Sequence, residues 1–187
     1  LNPTPESLDS FKESMNQTFA AAAPRPDGSK EVARPAPPRD LTNQLQDAEA
    51  AYSMIVKRAV EWGVDSARLG MIGFSAGAGL TMHATLNSKT MQLDFIGPIY
   101  GGMGPVEVPK NAPPMFSVIA TDDFLFRGQF GVIDSWYKAG RPVEFHLYQN
   151  GGHGLGLGNP GRTSNRWLDA FMHWLDVNSF LAAKPKK

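Results

Sequence analysis

The chain has 187 residues, 42% of them hydrophobic, which suits one globular domain with a core of its own. Its 18 basic and 18 acidic side chains cancel, so the charge balance argues against nucleic acid or an anionic membrane surface as a partner and favours a small neutral substrate. With no cysteine, disulfides and thiolate metal ligands are excluded, whereas the compartment, cytoplasmic or secreted, stays open for a soluble chain.

The opening "LNPTPESLDS" has neither the charged n-region nor the apolar h-region of a signal peptide, and no run approaches the roughly 20 apolar residues that span a bilayer. Leu8, Phe11, Met15 and Phe19 recur at helical intervals and predict a short helix. Residues 24–40, "PRPDGSKEVARPAPPRD", are proline-rich. They predict an extended surface loop, either a solvated insertion or a substrate-facing flap.

A helix follows over 41–62, with Leu45, Ala48, Tyr52, Ile55, Val56 and Ala59 as its apolar stripe, Thr42 or Asn43 as cap and Gly63 as stop. "RLGMIGF" (68–74) is a short buried strand, and 76–86 a helix rich in Ala, Leu and Met. Strands are predicted at 93–102, 114–123 and 142–150, the last alternating Val143, Phe145 and Leu147 on one side. A third helix, 127–140, lies before the last strand and ends at Gly140. The final helix, 165–180, turns Trp167, Leu168, Phe171, Trp174 and Leu175 inward, and the basic tail 182–187 is solvated. This order calls for an α/β fold in a single domain over 1–187, a mostly parallel sheet with helices on both faces. In such sheets the ligand site lies beyond the carboxyl ends of the strands.

Three groups fall at those ends, in the order Ser75, the pair Asp122 and Asp123, and His153. Each alone is ordinary: a serine in G-x-S-x-G is often structural, an aspartate after a strand is more often a helix cap, and a loop histidine is usually just solvated. Together they match a nucleophile, an orienting acid and a base. In "GFSAG", Gly73 and Gly77 lack bulk so that strand and helix can cross closely at a sharp turn. Ser75 is thereby lifted to a helix N-terminus, where the Ala76 amide faces a developing oxyanion. His153, in a Gly-Gly-His-Gly context, can reach over Ser75. His83, His146 and His173 do not converge with it. No metal-ligand spacing such as H-E-x-x-H occurs, and "GLGLGNPG" lacks the strand-helix context of a nucleotide loop, so no metal or cofactor is expected.

With these residues the chain resembles the α/β-hydrolase family, and within it the small carboxylesterases of the acetyl-xylan-esterase type, some of which carry a xylanase-like name. The resemblance covers roughly 41–180 and is carried by "DAEAAYSMIVKRAVEWGVDSARLGMIGFSAGAGL", "PPMFSVIATDDFLF" and "RPVEFHLYQNGGHGLGLG". It implies an α/β-hydrolase fold and a Ser75, His153, Asp123 triad acting through an acyl-enzyme on a short acyl ester, such as an acetylated sugar or xylan fragment. Asp123 is preferred to Asp122 because the family places its acid three residues after the small residue closing the strand, here Ala120. Phe124 stands where many relatives have proline.

The family's second oxyanion donor comes from a loop after an earlier strand, often His-Gly-Gly, and no such segment occurs here. The strands of the first half of the sheet are likewise absent. The expectation is a C-terminal portion whose sheet is completed by a second chain or a missing N-terminal segment, with a homo-oligomer as a further state and the ester as small-molecule partner. Two alternatives stay open: a prolyl-oligopeptidase-like serine peptidase, and a non-catalytic binding or assembly domain of the same fold.

Overall fold

The computed structural model describes residues 40–181. The helix predicted around 8–19, the proline-rich loop up to residue 39 and the basic tail lie outside the described residues.

Helix α1, Thr42–Lys57, is capped from two residues earlier than expected. Asp40 Oδ1 accepts the Thr42 backbone N–H at 3.0 Å, and Leu41 in the cap position contributes no side-chain bond. The predicted single helix over 41–62 is interrupted at Arg58, whose φ of −104° and ψ of 11° break the helical run before α2, Ala59–Trp62. Arg58 then pairs with Glu61 and lies 4.8 Å over the Trp62 ring. Gly63, at φ 64° and ψ 28°, closes the segment in the left-handed conformation that a residue with no Cβ adopts most readily.

Four strands follow: β1 Gly70–Phe74, β2 Phe95–Ile99, β3 Met115–Ala120 and β4 Val143–Tyr148. They lie in the order β1-β2-β3-β4, all parallel. Phe74 is in register with Ile99, Ile99 with Val118, and Ala120 with Tyr148, so all four carboxyl ends emerge on one edge of the sheet. β3 is buried at every position, which is why "MFSVIA" shows no alternation: both of its faces are covered.

Alternate residues separate the two faces. Phe74, Phe95 and Phe116 turn toward helix α5, Trp167–Val177, where Phe74 meets Trp167 at 6.1 Å, Phe95 meets Trp174 at 6.0 Å and Phe116 meets Phe171 at 5.1 Å between ring centroids. On the opposite face lie α3, Ala76–Asn87, against Gly73, and α4, Gly131–Lys138, where Phe130 at its N-terminus meets Phe145 at 6.0 Å. Two fully buried tryptophans anchor the ends, each with its indole N–H satisfied: Trp136 donates to the Pro113 carbonyl at 3.0 Å and Trp167 to the Gly156 carbonyl at 2.9 Å.

The outer strands are less buried than the inner two, which for β1 departs from the sequence reading. Among the described residues β4 is an edge strand with no fully buried residue, and Leu147, on the same side as Val143 and Phe145, is exposed. β1 forms the other edge among the described residues. Its Ile72 is 40% exposed, α1 has no fully buried residue, and Val60 is almost wholly exposed. The stripe predicted for α1 is therefore only half-covered, because among the described elements it packs mainly on α3. No helix among the described residues is long and apolar enough to cross a membrane.

Candidate active site

The turn between β1 and α3 sets the first functional group. Ser75 has φ 54° and ψ −112°, a conformation that costs a non-glycine residue about 1–3 kcal/mol and persists only where the surroundings impose it. What imposes it is close packing. The Ser75 N–H donates to the Ile99 carbonyl at 3.1 Å, and the Gly79 N–H to the Ser75 carbonyl at 3.2 Å, so the residue is pinned to β2 on one side and to the first turn of α3 on the other.

The two glycines of the motif have different duties. A Cβ on Gly73 would stand 2.1 Å from the Gly77 carbonyl oxygen and 2.5 Å from Thr81 Oγ1, so the missing side chain is what lets α3 cross β1. A Cβ on Gly77 would meet nothing within 4 Å among the described residues, which corrects the expectation that both positions are sterically required. Gly73→Ala is expected to lower stability by about 1–3 kcal/mol or more, because the clash is with backbone that no rotamer change relieves. Gly77→Ala is expected to stay within about 1 kcal/mol of the parent. Denaturant midpoints of the two variants check the contrast.

The second group comes from the loop after β4. The His153 Nε2 lies 2.7 Å from Ser75 Oγ, across 78 residues of sequence. On its other side the His153 Nδ1 lies 3.0 and 3.1 Å from the two oxygens of Asp123, whose side chain is fully buried. A buried ionised carboxylate can only accept, so the proton resides on Nδ1 and leaves Nε2 as acceptor for the serine hydroxyl. Asp123 is itself held by the turn after β3: its Oδ1 also accepts the Leu125 N–H at 2.8 Å, and its own N–H donates to the Ala120 carbonyl at 3.1 Å.

Of the two adjacent aspartates, then, Asp123 meets the imidazole. Asp122 points to the backbone of the histidine loop, accepting the N–H groups of Gly151 at 2.9 Å and Gly152 at 2.7 Å. The Ala76 N–H is at the first position of α3, beside Ser75 and on the positive end of the helix dipole. The remaining histidines are elsewhere: His83 is bonded to Asn87 on α3, His146 to Glu144 on β4, and His173 lies exposed on α5. Among the described residues no group of three His, Asp or Glu side chains could hold a metal ion.

Two aromatic neighbours of His153 were not singled out as site residues by sequence reasoning. Tyr100, buried at the end of β2 with φ 40°, presents its ring 5.3 Å from the imidazole, nearly edge-on. Burial pushes its hydroxyl above the usual range; a bond from the Gly156 N–H opposes this and the Asp123 charge adds to it. Phe124, noted only as a departure from proline, packs at 4.5 Å from the same ring. Neither carries a local motif, since both contacts depend on chain brought from 29 or more residues away.

A family model described as alpha/beta hydrolase fold matches residues 34–109, a span that includes the serine turn. Solved structures extend the likeness over more of the chain. An α/β-hydrolase enzyme from a Medee basin deep-sea metagenome library superposes with a TM-score of 0.64 at 24% identity, covering 90% of this chain and 77% of that one. The chain has the α/β-hydrolase fold. Carboxylesterase Cest-2923 from Lactobacillus plantarum gives 0.61 at 19% identity, covering 75% of this chain and 69% of its own. An acetyl ester-xyloside bifunctional hydrolase from Caldicellulosiruptor lactoaceticus gives 0.63 at 22%, covering 74% and 66%. A search of curated protein sequences finds no match. In enzymes of the α/β-hydrolase fold a strained serine between strand and helix is the nucleophile elbow, and Ser75 follows β1 at a turn of that shape.

Proposed function

We propose that the chain is a serine carboxylester hydrolase in which Ser75 attacks the ester carbonyl, His153 takes the hydroxyl proton and Asp123 orients the imidazole. The observation that carries this reading is the unbroken relay from Ser75 Oγ through His153 to the buried Asp123, mounted on a tight strand-to-helix turn where Ser75 is held at positive φ. As the tetrahedral oxyanion forms, the Ala76 N–H is one donor to it, and the imidazolium is stabilised by the carboxylate. His153 then returns its proton to the leaving alcohol. Water, deprotonated in turn by His153, releases the acyl group from Ser75.

The substrate class we favour is a short acyl ester, with acetylated sugars or xylan fragments as the specific candidates. A neutral chain suits an uncharged substrate, and among the fold's neighbours are a carboxylesterase and an acetyl ester-xyloside hydrolase. Hydrolysis of p-nitrophenyl acetate beside a proline-peptide anilide tests the class. Turnover of the acetate with an inert anilide supports the esterase; the reverse pattern transfers the site to a prolyl-oligopeptidase-like peptidase.

A second reading, a non-catalytic binding or assembly domain, is favoured by one observation: among the described residues β1 has no strand on its outer side, and apolar side chains of β1, α1 and α2 are exposed. For either reading we propose that a further polypeptide segment or second chain pairs with β1; for the hydrolase it would also supply the other oxyanion donor. The expected result is a native mass above the 20.3 kDa of the chain, or a co-purifying polypeptide. A monodisperse, fully active species at that mass would contradict it.

A further inference from the structure

The pair Asp122 and Asp123 closes β3 at the edge of the site, and only the second touches the imidazole. The first does something separate. Its Oδ1 receives two consecutive backbone N–H groups, from Gly151 at 2.9 Å and Gly152 at 2.7 Å, the two residues immediately before His153. Successive amides converging on one anionic oxygen form a nest, and bonds to an ionised acceptor are roughly twice as strong as neutral ones. The other oxygen, Oδ2, lies 3.9 Å from the Arg162 guanidinium on the far limb of the same loop.

The loop has reason to need such a hold. Gly152, Gly154, Gly156 and Gly158 all have positive φ, so every second residue around His153 lacks a side chain to fix it and has the widest conformational choice. Its far end is anchored where the Trp167 indole donates to the Gly156 carbonyl and Leu155 is buried. Asn150 and Thr163 clamp the base: each backbone N–H donates to the other's side-chain oxygen. Between these anchors the segment that bears the imidazole is tethered by Asp122. A Cβ on Gly151 would stand 2.6 Å from Ser164 Oγ, so this is also where the loop presses on the protein beneath it.

We propose that Asp122 is a positioning residue for His153, its carboxylate clamping the Gly151 and Gly152 amides so that Asp123 and Ser75 meet the imidazole from opposite sides. One dipeptide thus fixes the loop with its first carboxylate and the ring with its second. The inference rests on the hydrolase reading for its consequence on rate, but not for the clamp itself.

The test is steady-state kinetics on p-nitrophenyl acetate for Asp122→Ala, Asp122→Asn and Asp122→Glu in the full chain, together with NMR of the His153 Nδ1 proton and amide exchange at Gly151 and Gly152. Loss of the acceptor should lower kcat by about 10-fold to 10²-fold with KM nearly unchanged, the size expected when a reacting group is displaced by about an ångström. Asp122→Asn keeps an oxygen acceptor in the same place without its charge and should recover part of the rate; Asp122→Glu, which moves the acceptor, should recover less. Exchange should quicken selectively at the two glycine amides in the Ala variant, and the Nδ1 resonance should weaken there and persist with Asn. Parental kcat in Asp122→Ala, or a loss as deep in the Asn variant as in the Ala variant, overturns the proposal while leaving the hydrolase intact. Should the parent chain itself be inert toward esters, the hydrolase reading fails, and the NMR arm alone decides: unchanged glycine exchange in Asp122→Ala and Asp122→Glu overturns the clamp, selective acceleration upholds it.

Discussion

Asp123→Asn is expected to lower kcat on an ester substrate by about 10⁴-fold with little change in KM, the loss associated with forcing the wrong histidine tautomer in triads of this kind. The side chain is fully buried, so the replacement must occupy the same space. Its carbonyl oxygen can still accept the Leu125 N–H now received at 2.8 Å. That leaves the amide NH₂ facing His153 Nδ1, and a donor there drives the proton to Nε2. The Nε2, 2.7 Å from Ser75 Oγ, then carries a hydrogen and cannot accept the serine proton. Circular dichroism should be unchanged, because shape and the turn bond survive. Activity within about 10-fold of the parent would remove Asp123 from the relay, against the tautomer argument.

Replacing Ser75 should have the larger effect. Ser75→Ala is expected to reduce kcat by about 10⁶-fold, to the level left by binding and the oxyanion amide alone. Its effect on stability should be small, since alanine at φ 54° is strained as serine is. Ser75→Gly separates the two properties. Glycine adopts positive φ freely, so this variant should be equally inactive yet about 1 kcal/mol or more stabler than the parent, as the backbone strain is released. Chemical denaturation of the three proteins measures this without reference to any substrate. A Ser75→Gly variant no more stable than Ser75→Ala would mean that the turn is not strained in solution.

Much of the sheet could be read along the chain because local patterns and tertiary environment agree there. The apolar runs of β2 and β3 have no alternation, and both strands are flanked on both sides in the sheet. The strand-serine-helix turn carries its own steric signature in Gly73. Edges were harder. Alternation in "PVEFHLY" puts Val143, Phe145 and Leu147 on one side without saying how deeply each is buried; among the described residues β4 has a neighbour on one side only, and Leu147 is exposed. The break at Arg58 carries no proline or glycine to announce it, and the cap moved to Asp40 because an aspartate two residues ahead of Thr42 reaches its amide as well as a cap residue would.

The site divides in the same way. Residue types at strand ends point to Ser75, His153 and an aspartate, because the chemistry demands those types and a parallel sheet gathers its strand ends on one edge. The choice between Asp122 and Asp123 rested on likeness to a family and not on physics visible in "TDD". In the structure the two differ by which chain segment each meets, an imidazole for one and a pair of glycine amides for the other, both contributed from about thirty residues downstream. Tyr100 and Phe124 belong to the same class of fact: ring contacts with His153 arise only when three strand ends converge.

Reaction of the folded 187-residue chain with a fluorophosphonate probe, followed by peptide mass mapping, tests the central claim most directly. The account predicts one adduct, on Ser75, absent in Ser75→Ala and formed far more slowly in His153→Ala. A folded chain that takes no label, or takes it on another serine, would contradict the assignment of Ser75 as an activated nucleophile.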